Sequence, residues 1–122
     1  MPQTKVIFYR EEDGTVPVLE WLDALPRGAV AKLRVKLSRL HELGHELRRP
    51  EADYLRDGIY ELRVRLQTIN YRLLYFFHGN QAAVVSHGIV KERRVPTKEI
   101  EAAIERKQAF EKRPSLHTYE ER

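Results

Sequence analysis

Apolar and polar positions alternate most cleanly between Ile59 and Phe77. Tyr60, Leu62, Val64 and Leu66 recur at every second position, and so do Ile69, Tyr71, Leu73, Tyr75 and Phe77. That is the period of strands with one face in a core. Gln67-Thr68 separates the two runs, which predicts a β-hairpin. A two- or four-residue loop gives the same register: Leu66 opposite Ile69, Val64 opposite Tyr71, Leu62 opposite Leu73, Tyr60 opposite Tyr75. The apolar faces then coincide, as a half-buried hairpin requires. On the reverse face Arg63 lands directly across from Arg72. Cβ atoms so placed lie about 5 Å apart, and like charges there repel. Such a pair suits a site for a polyanion. The alternative is that both arginines fan into water or pair with Glu61.

The remaining elements follow from the same periodicities. Residues 5–10 form a β-rich run, a first strand, and residues 11–14 are turn material. Thr15 is placed to cap a helix whose first turn holds Pro17, with Val18, Trp21, Leu22 and Leu25 at helical spacing and Trp21 in the core. Pro26-Arg27-Gly28 breaks the chain. Over residues 29–43, Val30, Leu33, Leu37 and Leu40 share a face and Lys32, Lys36 and Arg39 fall on another, before Gly44 stops the helix. Two antiparallel helices are expected on the apolar face of the sheet. Residues 48–58 read as an extended connection, with Asp57-Gly58 turning into the hairpin. After a turn over residues 78–81, residues 82–90 form a third strand. With Gly79-Asn80 as its two turn residues, Arg72 faces His87, so Arg63, Arg72 and His87 form one row. Lys91 follows on the same face, with Arg93 and Arg94 beyond. For His87 the other reading is a buried, hydrogen-bonded ring. Thr97 caps a last helix over residues 98–111, with Ile100, Ala103, Ile104 and Ala109 or Phe110 on its apolar side. Residues 112–122 show no period and are expected to be mobile or partner-bound.

The predicted fold is therefore α+β: an antiparallel sheet of an N-terminal strand plus a three-stranded meander, two N-terminal helices packed on it, and a C-terminal helix. At 122 residues the chain is one domain, taken as residues 1–111 with a tail at 112–122. No apolar run is long enough to span a membrane and no leader is evident, which fits the cytoplasm. The absence of cysteine excludes disulfides and thiolate metal sites. A formal charge of +4 and a pI near 9.5 point to nucleic acid or an acidic protein as partner.

One metal motif stands out. His41-Glu42-Leu43-Gly44-His45 matches His-Glu-x-x-His, in which two histidines a helical turn apart bind zinc and the glutamate acts as base. Here it lies at a helix end with a glycine inside it. Arg48 and Glu51 occupy the positions where the longer motif has glycine and histidine. The other reading is a polar helix end with histidines that suit its negative pole.

The element order, with Gly58-Ile59-Tyr60-Glu61-Leu62-Arg63, Tyr71-Arg72-Leu73-Leu74-Tyr75 and His87-Gly88-Ile89-Val90-Lys91 in place, resembles the RelE/HigB-like toxins of bacterial type II toxin–antitoxin pairs, including their phage-derived members. The likeness runs from residue 5 to about residue 110. It implies a small microbial RNase fold, acting without cofactor or metal, that enters the ribosomal A site and cuts mRNA there in contact with ribosomal RNA. Arg63, Arg72 and Lys91 match family positions, and with His87, taken from its place in the predicted row, they are the expected catalytic set. Arg65, Arg93, Arg94, Lys32, Lys36 and Arg39 are the expected RNA contacts. Glu92 stands where the family often has a second lysine, and residues 96–98 hold no counterpart of a tyrosine some members carry. The expected partner is a cognate antitoxin with a helix-turn-helix domain.

Cleavage of RNA by its own 2′-hydroxyl needs that hydroxyl deprotonated, the pentacoordinate phosphate stabilised and the leaving 5′-oxygen protonated. Arginine is too weak an acid to serve as an ordinary base, so Arg63 and Arg72 are cast as transition-state stabilisers. His87, and Lys91 if neighbouring cations lower its pKa, suit proton transfer. Competing readings are a ParE-like gyrase inhibitor, a non-enzymatic RNA- or antitoxin-binding module, and a zinc hydrolase.

Overall fold

A computed structural model describes residues 3–90 and 93–121. The chain runs β1 (Lys5–Tyr9), α1 (Pro17–Asp23), α2 (Arg27–Leu43), a 3-10 turn (Gly44–Glu46), β2 (Ala52–Arg56), β3 (Ile59–Leu66), β4 (Ile69–His78), β5 (Ala82–Val90), α3 (Thr97–Lys112) and β6 (Thr118–Tyr119). The fold is α+β, with one sheet in the order β2-β3-β4-β5-β1-β6. β1 lies parallel to β5, and every other neighbouring pair is antiparallel.

The central hairpin has the register the alternation predicts, from Tyr60 opposite Tyr75 to Leu66 opposite Ile69. Gln67 takes a positive φ of 57° at its tip, which lets a two-residue loop follow the twist of the strands. One face of the sheet carries Leu62, Val64, Tyr71, Leu73, Tyr75 and Val85, packed under Val18 and Leu22 of α1 and Leu33, Leu37 and Leu40 of α2. The other face is partly covered as well. Ile59, Leu74, Phe76, Val84 and Ile89 pack against Ala103 and Phe110 of α3, with Ile100 and Ile104 at the margin. Burying a side chain of this size contributes roughly 1.5–3 kcal/mol, so both layers hold the sheet. Trp21 lies at the margin of the first core, edge-on to Tyr71. Its ring sits so close over Gly88 that no side chain fits there.

Several sequence expectations are corrected. Val16, not Thr15, precedes α1, with Pro17 in its first turn, while the Thr15 N–H donates to Asp13 Oδ1 at 2.9 Å. Pro96 occupies the corresponding position before α3, without a side-chain cap, and Thr97 is already helical. α2 begins at Arg27 rather than Ala29, and Gly44 ends it at a φ of 52°.

The supposed connection before the hairpin contains a strand, β2, which forms one margin of the sheet. Two of its N–H groups are occupied locally: Ala52 donates to Arg48 O at 3.2 Å and Tyr54 to Asp53 Oδ1 at 3.0 Å. Such occupied margins resist pairing with another chain. The tail, expected to be mobile or partner-bound, is docked through residues 117–121. β6 pairs with β1. The buried His117 stacks on Tyr9 with centroids 4.8 Å apart, and its Nδ1 lies 2.8 Å from Arg10 O. Glu121 forms a two-point pair with Arg34, and Glu120 lies 3.4 Å from Lys5.

Candidate functional site

Strand alternation puts Glu61, Arg63 and Arg65 of β3 and Arg72 of β4 on the sheet face that carries α3. Arg63 faces Arg72 directly across the two strands. Their repulsion is answered by the carboxylate of Glu61, two residues before Arg63. Oε2 accepts from Arg63 Nε at 3.1 Å and Nη2 at 2.9 Å, and Oε1 lies 3.3 Å from Arg72 Nη1. Both arginines thus meet Glu61 rather than fanning into water. Asp53 of β2 adds a second acid, 3.1 Å from Arg63 Nη2 and 3.0 Å from Arg49 Nη2. These cations lower the pKa of Asp53, Arg49 most of all through its hydrogen bond.

Glu61 is only 2% exposed, while Arg63 and Arg72 reach the surface. Beside them a shallow depression of about 240 Å³ is bordered by Pro50, Arg63, Arg65, Asn70 and Arg72. Arg65 is exposed and donates only at its Nε, to Gln67 O at 3.0 Å, in the bonds described for its side chain. β2 covers β3 only as far as Leu62, with Arg63 N–H reaching Glu51 O at 2.8 Å. Past that point a second groove of about 410 Å³ opens between β3 and α2, lined by Lys32, Val35, Lys36, Arg63 and Arg65. Arg63 and Arg65 therefore border both depressions and join them around the strand margin.

Not all of the predicted basic face is available to a ligand. Lys36 and Arg39 both bind Glu51, Lys36 at 3.1 Å and Arg39 through two bonds of 3.0 and 2.7 Å. Those bonds, Arg39's above all, hold the Glu51 carboxyl down to about 2. Lys32 donates to Arg65 O at 3.1 Å. Arg93 and Arg94 are exposed beyond β5. Lys91 lies outside the described residues.

The row of Arg63, Arg72 and His87 is corrected. The loop before β5 is one residue longer than expected, with His78 opposite Ala82, and a bulge at Ser86 shifts the register again. Arg72 thus faces Ile89, and His87 faces Leu74. His87 remains on the arginine face but sits under α3. Its Nε2 lies 3.0 Å from Glu99 Oε1 and its Nδ1 2.8 Å from the buried Ser86 Oγ. Burial, and then the Arg106 cation, hold this ring below its ordinary 6.5 against the pull of Glu99. A neutral ring then donates one nitrogen's proton to Glu99 and accepts at the other from Ser86, so both nitrogens are engaged within the protein.

The zinc motif is dispersed. His41 Nδ1 contacts Thr4 O at 2.6 Å and Nε2 contacts Gln3 Oε1 at 3.0 Å. His45 lies in the 3-10 turn, its ring stacked on Phe77. Among the described residues no cluster of three His, Asp or Glu is arranged to hold a metal ion. A further groove of about 690 Å³ runs between α2 and the docked tail and is lined by none of the predicted RNA contacts. No helix of the described residues is long and apolar enough to cross a membrane.

Sequence reasoning missed Asp53, which belongs to the unrecognised β2, and the part played by Glu51. It also missed Glu99 as the partner of His87. A signal for Glu61 was present, because it shares the alternation of Arg63. Residues 20–108 match the family model described as phage-derived protein Gp49-like. No curated protein matches the chain.

Proposed function

The chain belongs to the phage-derived Gp49-like family, a toxin-like family related to RelE/HigB, and on that premise we propose that it is the toxin of a type II toxin–antitoxin pair, cutting mRNA in the ribosomal A site. The observation that carries this reading is the facing pair Arg63 and Arg72, held on one side of the sheet next to a depression that Arg65 also borders. A phosphodiester laid there meets guanidinium donors from two strands. Planar guanidinium groups bind phosphate oxygens through paired hydrogen bonds. As the 2′-oxygen attacks, charge grows on the equatorial oxygens, and fixed cations in a partly desolvated site favour that state over the ground state.

Within this reading Arg72 leads the stabilising role, because Arg63 is more fully engaged by Glu61 and Asp53. Arg65, Lys32, Arg93 and Arg94 guide the flanking backbone and ribosomal RNA. Lys36 and Arg39 contribute less, since Glu51 offsets them. Lys91 is the proposed proton-transfer group, since both ring nitrogens of His87 are engaged within the protein. The cognate antitoxin, proposed as a helix-turn-helix protein, silences the toxin by covering this basic face. The cytoplasm is the compartment where such a target is met.

Inducible expression with mapping of mRNA 5′ ends tests the proposal. New 5′ ends within codons of translated messages support it. Intact transcripts with arrested DNA gyrase would assign the chain to the ParE-like reading. The non-enzymatic binding module draws support from His87, whose two nitrogens are already occupied. It predicts ribosome binding that weakens steeply with salt and no cut ends.

A further inference from the structure

Glu61 presents a chemical oddity. The residue is 2% exposed, and taking an ion out of water is costly unless its lone pairs are well satisfied. Oε2 is satisfied twice by Arg63. Oε1 is fully buried and receives no hydrogen bond of proper geometry among the described residues. The nearby Arg72 Nη1, at 3.3 Å, contributes attraction without a directed bond. A carboxylate needed only to offset two partly exposed arginines would cost less at an exposed position, where water could complete its shell. This one sits beneath the pair, bound firmly to one arginine and loosely to the other.

We propose that Glu61 is a positioning residue that holds Arg63 fixed and keeps Arg72 convergent with it but free to turn toward a phosphate. The inference rests on the RNase reading above. Arg63, clamped by Glu61 and by Asp53 at 3.1 Å, keeps a constant orientation. Arg72, which makes no directed bond to Oε1, turns its donors to a phosphoryl oxygen while its charge stays beside Oε1, so no hydrogen bond is lost as the ligand arrives. Glu61 touches no substrate; its charge also restrains ground-state binding. Without that charge the two guanidinium groups attract RNA more strongly, but each settles where the repulsion between them is least. Affinity and turnover then move in opposite directions, whereas damage to the fold lowers both.

The test compares wild type, Glu61→Gln and Glu61→Asp. Binding is read with a single-stranded RNA oligonucleotide carrying 2′-O-methyl groups, which cannot be cut, over a salt series. Cleavage is read in a translating extract, and thermal melting reports the fold. Glu61→Gln is expected to bind a few-fold more tightly with a steeper salt slope, while cleavage falls about a hundredfold, the scale of a misplacement near 1 Å. Glu61→Asp keeps the charge but withdraws it, so affinity stays near wild type and cleavage still falls. This second variant decides the matter if the glutamine variant does not fold. Wild-type cleavage by a folded Glu61→Gln or Glu61→Asp overturns the inference and leaves the RNase reading intact. So does a folded Glu61→Gln that loses binding and cleavage together. A wild-type protein that cuts nothing overturns the RNase reading and the inference with it.

Discussion

Arg63 and Arg72 face each other across β3 and β4 and share one buried carboxylate, that of Glu61. Two like charges at opposed strand positions are ordinarily a liability. Here the liability is reduced by an acid two residues upstream, at the cost of burying it. The surface of the two arginines remains turned toward the depression beside Arg65.

Arg72→Lys is the first prediction. It preserves a positive charge beside Glu61, so melting temperature changes little. It removes the planar fork, and an Arg–Lys exchange at such a site is not conservative. Messenger cleavage is expected to fall at least about a hundredfold, in the range of a lost oxyanion-type donor. Mapping of 5′ ends after induction checks it, and cleavage at the wild-type rate removes Arg72 from the mechanism. Arg72→Ala is the less clean variant, because it leaves Oε1 of Glu61 without its nearest cation.

His87 couples stability to pH. Its folded pKa lies below the ordinary 6.5 because of burial first and Arg106 second. In the window between those two values the unfolded chain holds a proton that the folded chain does not, so stability rises with pH there. The contribution is fully present above about 6.5 and is lost as pH falls through the folded value. Melting curves between pH 8 and pH 5 are expected to show this decline. In His87→Gln that part of the decline disappears, although its loss of the Glu99 bond lowers stability at every pH.

Glu51→Gln is expected to raise affinity for RNA. Lys36 and Arg39 are released from the same carboxylate, and each new phosphate contact on a single strand steepens the salt dependence by about 0.7 in log–log slope. The same carboxyl, held down to about 2 by Arg39 and Lys36, makes a contribution to stability that persists above its ordinary value of 4.5. It is lost as pH falls toward 2. Acid titration of wild type against Glu51→Gln separates that loss from the general effect of acid.

Gly88→Ala is expected to destabilise the fold by about 1–3 kcal/mol or more, the usual range for overpacking. A Cβ at this position would overlap the Trp21 ring, and neither β5 nor α1 can yield easily. Trp21 fluorescence during denaturant unfolding reads both the shift in midpoint and any change in ring environment. An unchanged midpoint would mean that α1 sits farther from β5 than described.

Deleting residues 114–122 removes β6, the His117 stack on Tyr9 and the Arg34–Glu121 pair. It uncovers Tyr9, which is 4% exposed in the fold. A loss of about 2–4 kcal/mol is expected from the apolar area returned to water, measurable by denaturant titration. No loss would restore the sequence expectation of a mobile or partner-bound tail.

The hairpin was legible because Tyr60 to Leu66 and Ile69 to Phe77 alternate without interruption and the turn between them is short. The helices were legible from Leu33, Leu37, Leu40 and Ile100, Ala103, Ile104, with boundaries displaced by a residue or two. β2 escaped notice because Pro50, Asp53, Arg56 and Asp57 read as loop, yet a margin strand tolerates such residues where a central one does not. The bulge at Ser86 was illegible for a different reason. Residues 82–85 are all apolar and buried on both faces, so one added residue leaves no mismatch in the pattern. That slip separated His87 from the arginine row. In the candidate site, the basic residues were visible as charges, but their engagement was not. Glu51 offsets two of them and Glu61 joins two others through contacts 12 to 15 and 2 to 11 residues apart in sequence. Spacing alone cannot say which acid meets which base once the chain folds back on itself.

The pairing of β1 with β6 has a kinetic consequence. It brings Phe8 beside Tyr119 and Tyr9 beside Thr118, so the seam forms only after the intervening chain has been gathered in. Contacts of such separation carry the greatest loop-closure cost and assemble late. With just two paired residues on each side, the seam is also the part of the sheet that opens first, and its amides should exchange with solvent well before those of the central hairpin.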